Sequence, residues 1–145
     1  MMINQAARSL LAKAGMLPVV SHDWWAYMLI SGAGGRVFYD PYPSVRYRQH
    51  GKNIIGANVS WLGRVRRLRM LLKNRFRDWN TVNIEGLNQA RHLLTSENQQ
   101  KLDEFAKARQ APFFSRLQRF SKLGLYRQTL IGNIGLFVAV ILKKI

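Results

Sequence analysis

Thirteen residues near the end of the chain, Leu130 to Leu142, are strongly apolar apart from Gly132, Asn133 and Gly135, and Lys143 and Lys144 follow them at once. A helix crossing a bilayer needs about 20 such residues, so this segment is too short to span a membrane alone. Two uses remain. It can lie as an interfacial or re-entrant helix with the lysines at the headgroups, or it can be buried as a C-terminal core helix. Both demand a helical scaffold around it. The preceding stretch offers one: Pro112 suits a first helical turn, Phe113, Leu117 and Phe120 form an apolar stripe beside Arg116, Arg119 and Lys122, and Gly124 reads as a stop.

Upstream, the helical period continues. Trp61, Val65, Leu68, Leu72, Phe76 and Trp79 recur at three- and four-residue steps, while Arg64, Arg66, Arg67, Arg69, Lys73, Arg75 and Arg77 fill the other faces. That pattern predicts a strongly basic amphipathic helix with a break near Asn80. A second helix is expected from Val82, Leu87, Ala90 and Leu94. A third should open at Ser96, where Gln99 completes a capping box, and carry Leu102 and Phe105. Residues 59–110 thus form a basic helical region and residues 111–145 a membrane-associated end.

Residues 1–58 read differently, being aromatic, glycine-bearing and interrupted by Pro18, Pro41 and Pro43. Here His22-Asp23-Trp24-Trp25 precedes the apolar run Ala26 to Ile30, which ends in the glycine-rich Ser31 to Gly35. The run is a cap, a helix and a stop. Asp23 falls at or near the helix N-terminus, where free N–H groups and the helix dipole keep a carboxylate ionised. Plain N-capping would account for it. A carboxylate beside flat aromatic faces is also what a sugar pocket requires, since ring faces stack on indole and the carboxylate accepts a hydroxyl proton. Further on, Arg36 to Asp40 and Ser44 to Arg48 read as two short strands around Pro41-Tyr42-Pro43. They lead into Tyr47 to Asn53 (YRQHGKN), and from Arg46 to Lys52 the four potential cations Arg46, Arg48, His50 and Lys52 fall within seven residues. Such a cluster suits a diphosphate, and a neutral His50 can ligate a divalent metal, although a basic hairpin on a solvated face has the same composition.

Charge and cysteine content narrow the classes. With 23 Lys and Arg against 7 Asp and Glu, the formal charge is +16, which favours polyanionic partners: nucleic acid, anionic lipid or phosphorylated ligands. The chain is 48% apolar, too hydrophobic for a disordered basic tail. No cysteine is present, so thiol catalysis, disulfides and Cys-based metal sites are excluded, and His22, His50 and His92 are too scattered for a zinc site of their own. The opening MMINQAARSLLAKAG carries no cleavage motif of a secretory signal.

HDWW, a helix ending in glycine, an Asp-x-x-Pro stretch and then YRQHGKNIIGA together resemble the C-terminal part of the catalytic domain of family 2 nucleotide-sugar glycosyltransferases of the GT-A fold. The likeness is greatest to bacterial rhamnosyltransferase-like members that build cell-surface polysaccharides. Ile3-Asn4 with Leu10-Leu11 resembles the segment before the family's acceptor helix, and Leu125 to Gln128 with the basic helices resembles its membrane-associated tail. The resemblance implies that Asp23 is the catalytic base of an inverting transfer and that Trp24 and Trp25 lie beside the acceptor. It further implies that Arg48, Gln49 and His50 close over the donor diphosphate and its divalent metal, Mg or Mn. The partners it implies are a nucleotide-sugar, a saccharide or lipid-linked acceptor and an anionic membrane, with the protein peripheral on the cytoplasmic face of the inner membrane. The family's Asp-x-Asp motif and nucleotide-binding βαβ half are missing from these 145 residues. The chain is therefore expected to be the C-terminal piece of such a transferase, through gene fragmentation, a start misassigned at Met1 or Met2, or truncation. On that reading it holds no cofactor alone and transfers no sugar until a donor-binding half joins it. The expected fold is mainly α with a small β-hairpin near Val37 to Tyr47. Two rivals are a non-catalytic basic module on a membrane and a nucleic-acid binder. The second is disfavoured because the arginines are distributed around a packing helix and the apolar tail has no use there.

Overall fold

A computed structural model of the protein describes residues 2–40, 42, 73–127 and 129–145. Among these the chain is mainly helical, with α1 (Gln5–Ala14), α2 (His22–Gly32), α3 (Arg75–Gln89), α4 (Ser96–Gln110), α5 (Phe113–Lys122) and α6 (Leu130–Ile141), plus one 3-10 turn at Arg91–Leu93. No strand occurs among the described residues. Arg36 to Asp40, expected as one arm of a hairpin, has no regular secondary structure, and the other expected arm, 44–48, lies outside the described residues. So do Tyr47 to Asn53 and the part of the basic helix at 59–72.

Polar side chains close three helix starts. Asn4 Oδ1 accepts from the Ala7 amide at 2.9 Å, Thr95 Oγ1 from Asn98 at 3.3 Å and Thr129 Oγ1 from Gly132 at 3.1 Å, each satisfying an amide left free in a first turn. The cap of α4 is therefore Thr95, one residue before the expected Ser96. Gln99 is not a box partner either, because its amide reaches back to the Arg91 and Leu94 carbonyls, both at 3.1 Å, and secures the 3-10 turn. The break expected near Asn80 is also displaced. Helix α3 runs straight through Asn80, and the irregularity falls at Asn74, whose φ of 61° is the left-handed conformation that asparagine tolerates better than most residues. Pro112 stands just ahead of α5, and Gly124, at φ 62°, ends it as expected.

Two apolar clusters hold the helices. Trp25, Leu29, Ala90, Leu94 and Leu102 form the first, with Leu10, Leu11 and Leu17 against it; Ala108, Phe120 and Val140 form the second, joined by Phe105, Leu117 and Ile145. Helix α4 serves both, giving Leu102 to one and Ala108 to the other. In the second, Phe105 and Phe120 meet edge to face with ring centroids 5.7 Å apart.

Long-range polar contacts fix how the helices run. The Thr95 amide bonds the Gly32 carbonyl at 3.0 Å and Asn98 Nδ2 bonds the same oxygen at 3.0 Å, so the end of α2 meets the start of α4. At the other end of α4, the buried Arg109 donates to the Arg77 carbonyl at 2.7 Å, to Thr81 Oγ1 at 2.9 Å and to the Ile145 carbonyl at 3.0 Å. Arg116, also buried, donates to the Ile141 carbonyl at 3.1 Å. The starts of α2, α3 and α5 and the ends of α4 and α6 consequently share one end of the bundle.

Candidate functional site

At that shared end stands Asp23. Helix α2 begins at His22 with Ser21 as its extended N-cap residue, so Asp23 occupies the first turn and not the cap itself. The Ser21 hydroxyl donates to Asp23 Oδ1 at 2.5 Å, and His22 Nε2 lies 3.6 Å from the same oxygen. The carboxylate's pKa is lowered from the ordinary 3.8, first by the Ser21 hydroxyl, then by a backbone N–H, with burial opposing weakly and His22 adding to the effect. Its side chain is 60% exposed, so the group is both ionised at neutral pH and open to an incoming hydroxyl.

The two tryptophans part company. Trp25 is 7% exposed and sits in the first core cluster, with the helical Gly86 closing against its ring edge; it is a packing residue. Trp24, half-buried, turns toward α3 and meets Trp79 edge to face at 5.5 Å. Trp79 in turn meets Phe76 at 5.5 Å, and the Arg75 guanidinium lies over the Trp79 ring at 5.4 Å. Beside Asp23 there is thus an aromatic ledge of Trp24, Trp79 and Phe76 with a cation at its rim. In the sequence, Phe76, Trp79 and Arg75 mark only a basic amphipathic helix. Their three- and four-residue spacing was the available pointer, since it puts both rings and the guanidinium on one helix face.

Tyr27, one turn beyond Asp23, is exposed, and Ser31 donates its hydroxyl to the Tyr27 carbonyl. Arg48, Gln49 and His50 lie outside the described residues, so their position relative to Asp23 is not part of this geometry. Among the described residues no group of three His, Asp or Glu side chains could hold a metal ion. The adjacent pair Asp103 and Glu104 does not fit one: Arg91 grips Asp103 with two bonds of 2.7 Å, and Glu104 is shared by Lys107 at 3.0 Å and Arg119 at 2.9 Å. A shallow cleft of about 330 Å³ between α4 and α5, lined by Glu104, Ser115, Gln118, Arg119, Lys122 and Leu123, is occupied by that same ion pair and does not include Asp23.

Ser21→Ala should move the Asp23 pKa upward, toward 3.8, because the largest of the influences lowering it is removed. A carboxylate with a depressed folded-state pKa contributes stability above its unfolded value, and that contribution is lost as pH falls through the folded value. The variant should therefore lose its Asp23 contribution at a higher pH than wild type does. Carboxyl-carbon NMR titration of both proteins reads the shift directly, and identical curves would remove Ser21 from the account.

No family model, curated protein or solved structure matches the chain.

Proposed function

We propose that this chain is the acceptor-side, C-terminal portion of an inverting glycosyltransferase that moves a sugar from a nucleotide-sugar to a polysaccharide or lipid-linked acceptor. The observation that carries the reading is Asp23: a carboxylate held ionised in the first turn of α2, 60% exposed, next to the half-exposed Trp24. The HDWW and YRQHGKN motifs, with their resemblance to family 2 transferases, supply the reaction class. In that reaction an acceptor hydroxyl attacks the anomeric carbon while Asp23 takes its proton. The new glycosidic bond forms as the bond to the diphosphate breaks, the electron pair leaves with the phosphate oxygen, and the anomeric configuration inverts. Trp24, backed by Trp79, offers a rigid ring face for the acceptor sugar. Arg48, Gln49 and His50 are the residues assigned to the diphosphate and its divalent metal, which would neutralise the departing phosphate when bound. The donor-binding half comes from outside these residues.

Gene disruption in the source cells, followed by mass profiling of cell-surface and lipid-linked glycans, tests the reading. One sugar, or all polymer beyond it, should be lost and should return with the wild-type gene. An unchanged profile would overturn the proposal.

A further inference from the structure

Helix α6 is divided in an unusual way. At roughly 100° of rotation per residue, Gly132, Asn133, Leu136, Ala139 and Val140 share one side, and these are the partly or fully buried positions. The opposite side carries Leu130, Ile131, Ile134, Phe137, Val138 and Ile141, which are between 37% and 77% exposed. The outward face is thus more apolar than the inward one. A helix whose polarity served only folding in water would be arranged the other way round.

We propose that the outward face of α6 docks flat into an anionic lipid bilayer, with the helix parallel to the surface and its inner face still packed on α4 and α5. Three observations select a bilayer. Twelve residues at about 1.5 Å rise make a helix of roughly 18 Å, well short of the ~30 Å hydrocarbon layer, and no helix among the described residues is long and apolar enough to cross one. The face carries no charged or hydrogen-bonding side chain, so entering the acyl-chain region would leave no polar group on it unsatisfied. Exposed cations stand at both ends, Arg127 before α6 and Lys143 after it, where phosphate headgroups would meet them, on a chain of net charge +16 that would repel a second copy of itself. Phe113 and Phe114 are exposed on the first turn of α5, the helix whose Arg116 holds the Ile141 carbonyl at the end of α6. That end is also the end of the bundle bearing Asp23, although the docking argument uses no part of the sugar-transfer reading.

The chain's lack of cysteine makes a direct test clean. Purified full-length protein would be sedimented with phosphatidylcholine–phosphatidylglycerol vesicles and with pure phosphatidylcholine vesicles, alongside the double variant Ile134→Gln/Phe137→Gln. Wild type should partition onto the anionic vesicles and the double variant about tenfold less or weaker still, with unchanged helical circular dichroism because both side chains are already exposed. A fluorophore on Ile134→Cys should become shielded from an aqueous quencher when vesicles are added, and one on Glu97→Cys, on α4, should not. Equal binding by the variant, or a label at 134 that stays accessible on vesicles, would overturn the proposal. So would a label already shielded without lipid in a dimer, which would assign the face to a second copy. None of these readouts involves sugar transfer, so the two proposals fail independently.

Discussion

On the proposed sugar-transfer reading, Asp23→Asn should lower the turnover of the enzyme complete with its donor-binding half by about 10²- to 10⁴-fold, the range a positioned general base contributes, and leave acceptor KM nearly unchanged. Asparagine has the same shape, and its Oδ1 can still accept the Ser21 hydroxyl that Asp23 accepts at 2.5 Å, so the start of α2 and the Trp24 ledge are kept. Only the proton acceptor is gone. If Asp23 did no more than stabilise the helix start, the same exchange would cost about 0.3–1 kcal/mol of stability through the lost charge–dipole interaction and nothing in turnover. Asp23→Glu restores a base but displaces it by a methylene, and should recover part of the rate. The pH profile adds a second readout. Because the Asp23 pKa lies below the ordinary 3.8, the acid limb of the wild-type rate should fall well below neutrality, and Ser21→Ala should bring it upward. An Asp23→Asn enzyme with wild-type turnover would remove Asp23 from the chemistry.

How much of this site could be read from the chain depends on how local each piece of information is. The helix after Ser21 was legible because an apolar run and a glycine stop are both local, and so was the ionised state of Asp23. Which of two adjacent tryptophans lies inside was not legible. Successive residues point about 100° apart, and the choice is made by Leu94, Leu102 and Gly86 on one side and Trp79 on the other, all more than 50 positions away. The cap of α4 was misplaced by one residue for a related reason. Thr95 and Ser96 are chemically equivalent, and the backbone at Thr95, extended at φ −65° and ψ 152°, decides between them. The break expected near Asn80 does not occur, because α3 passes through it with Trp79 and Ile84 packed on either side, and such tertiary contacts outweigh a propensity difference of a few tenths of a kcal/mol. For α6 the sequence left core and interface as alternatives because the segment is apolar nearly all round. The structure buries Ala139 and Val140 and leaves Ile131, Ile134 and Phe137 exposed, so core burial holds for one face of the helix and not for the other.

Leu29→Ala should cost about 3–4 kcal/mol and lower the melting temperature by roughly 10 °C, measured by denaturant and thermal unfolding. Leu29 has no exposed surface and is enclosed by Trp25, Ala90, Leu94 and Leu102, contributed by α2, the turn after α3, and α4. A cavity at that junction has few ways to close, since Trp25 is itself fixed against Gly86 and the end of α2 is tied to α4 through the Gly32 carbonyl. Against a total stability of about 5–15 kcal/mol for a domain, such a loss is a large share. Leu29→Met, which nearly conserves volume, should cost less than about 1.5 kcal/mol, and Phe137→Ala on the outward face of α6 should stay within about 0.5 kcal/mol. The ordering matters for the site. Leu29 lies six residues beyond Asp23 on the same helix, so the contacts that hold Leu29 also fix the helix that carries Asp23 and Trp24. A Leu29→Ala loss below about 1 kcal/mol would mean that α2 is not anchored by this core, and a general base on an unanchored helix could not keep the geometry that proton transfer requires.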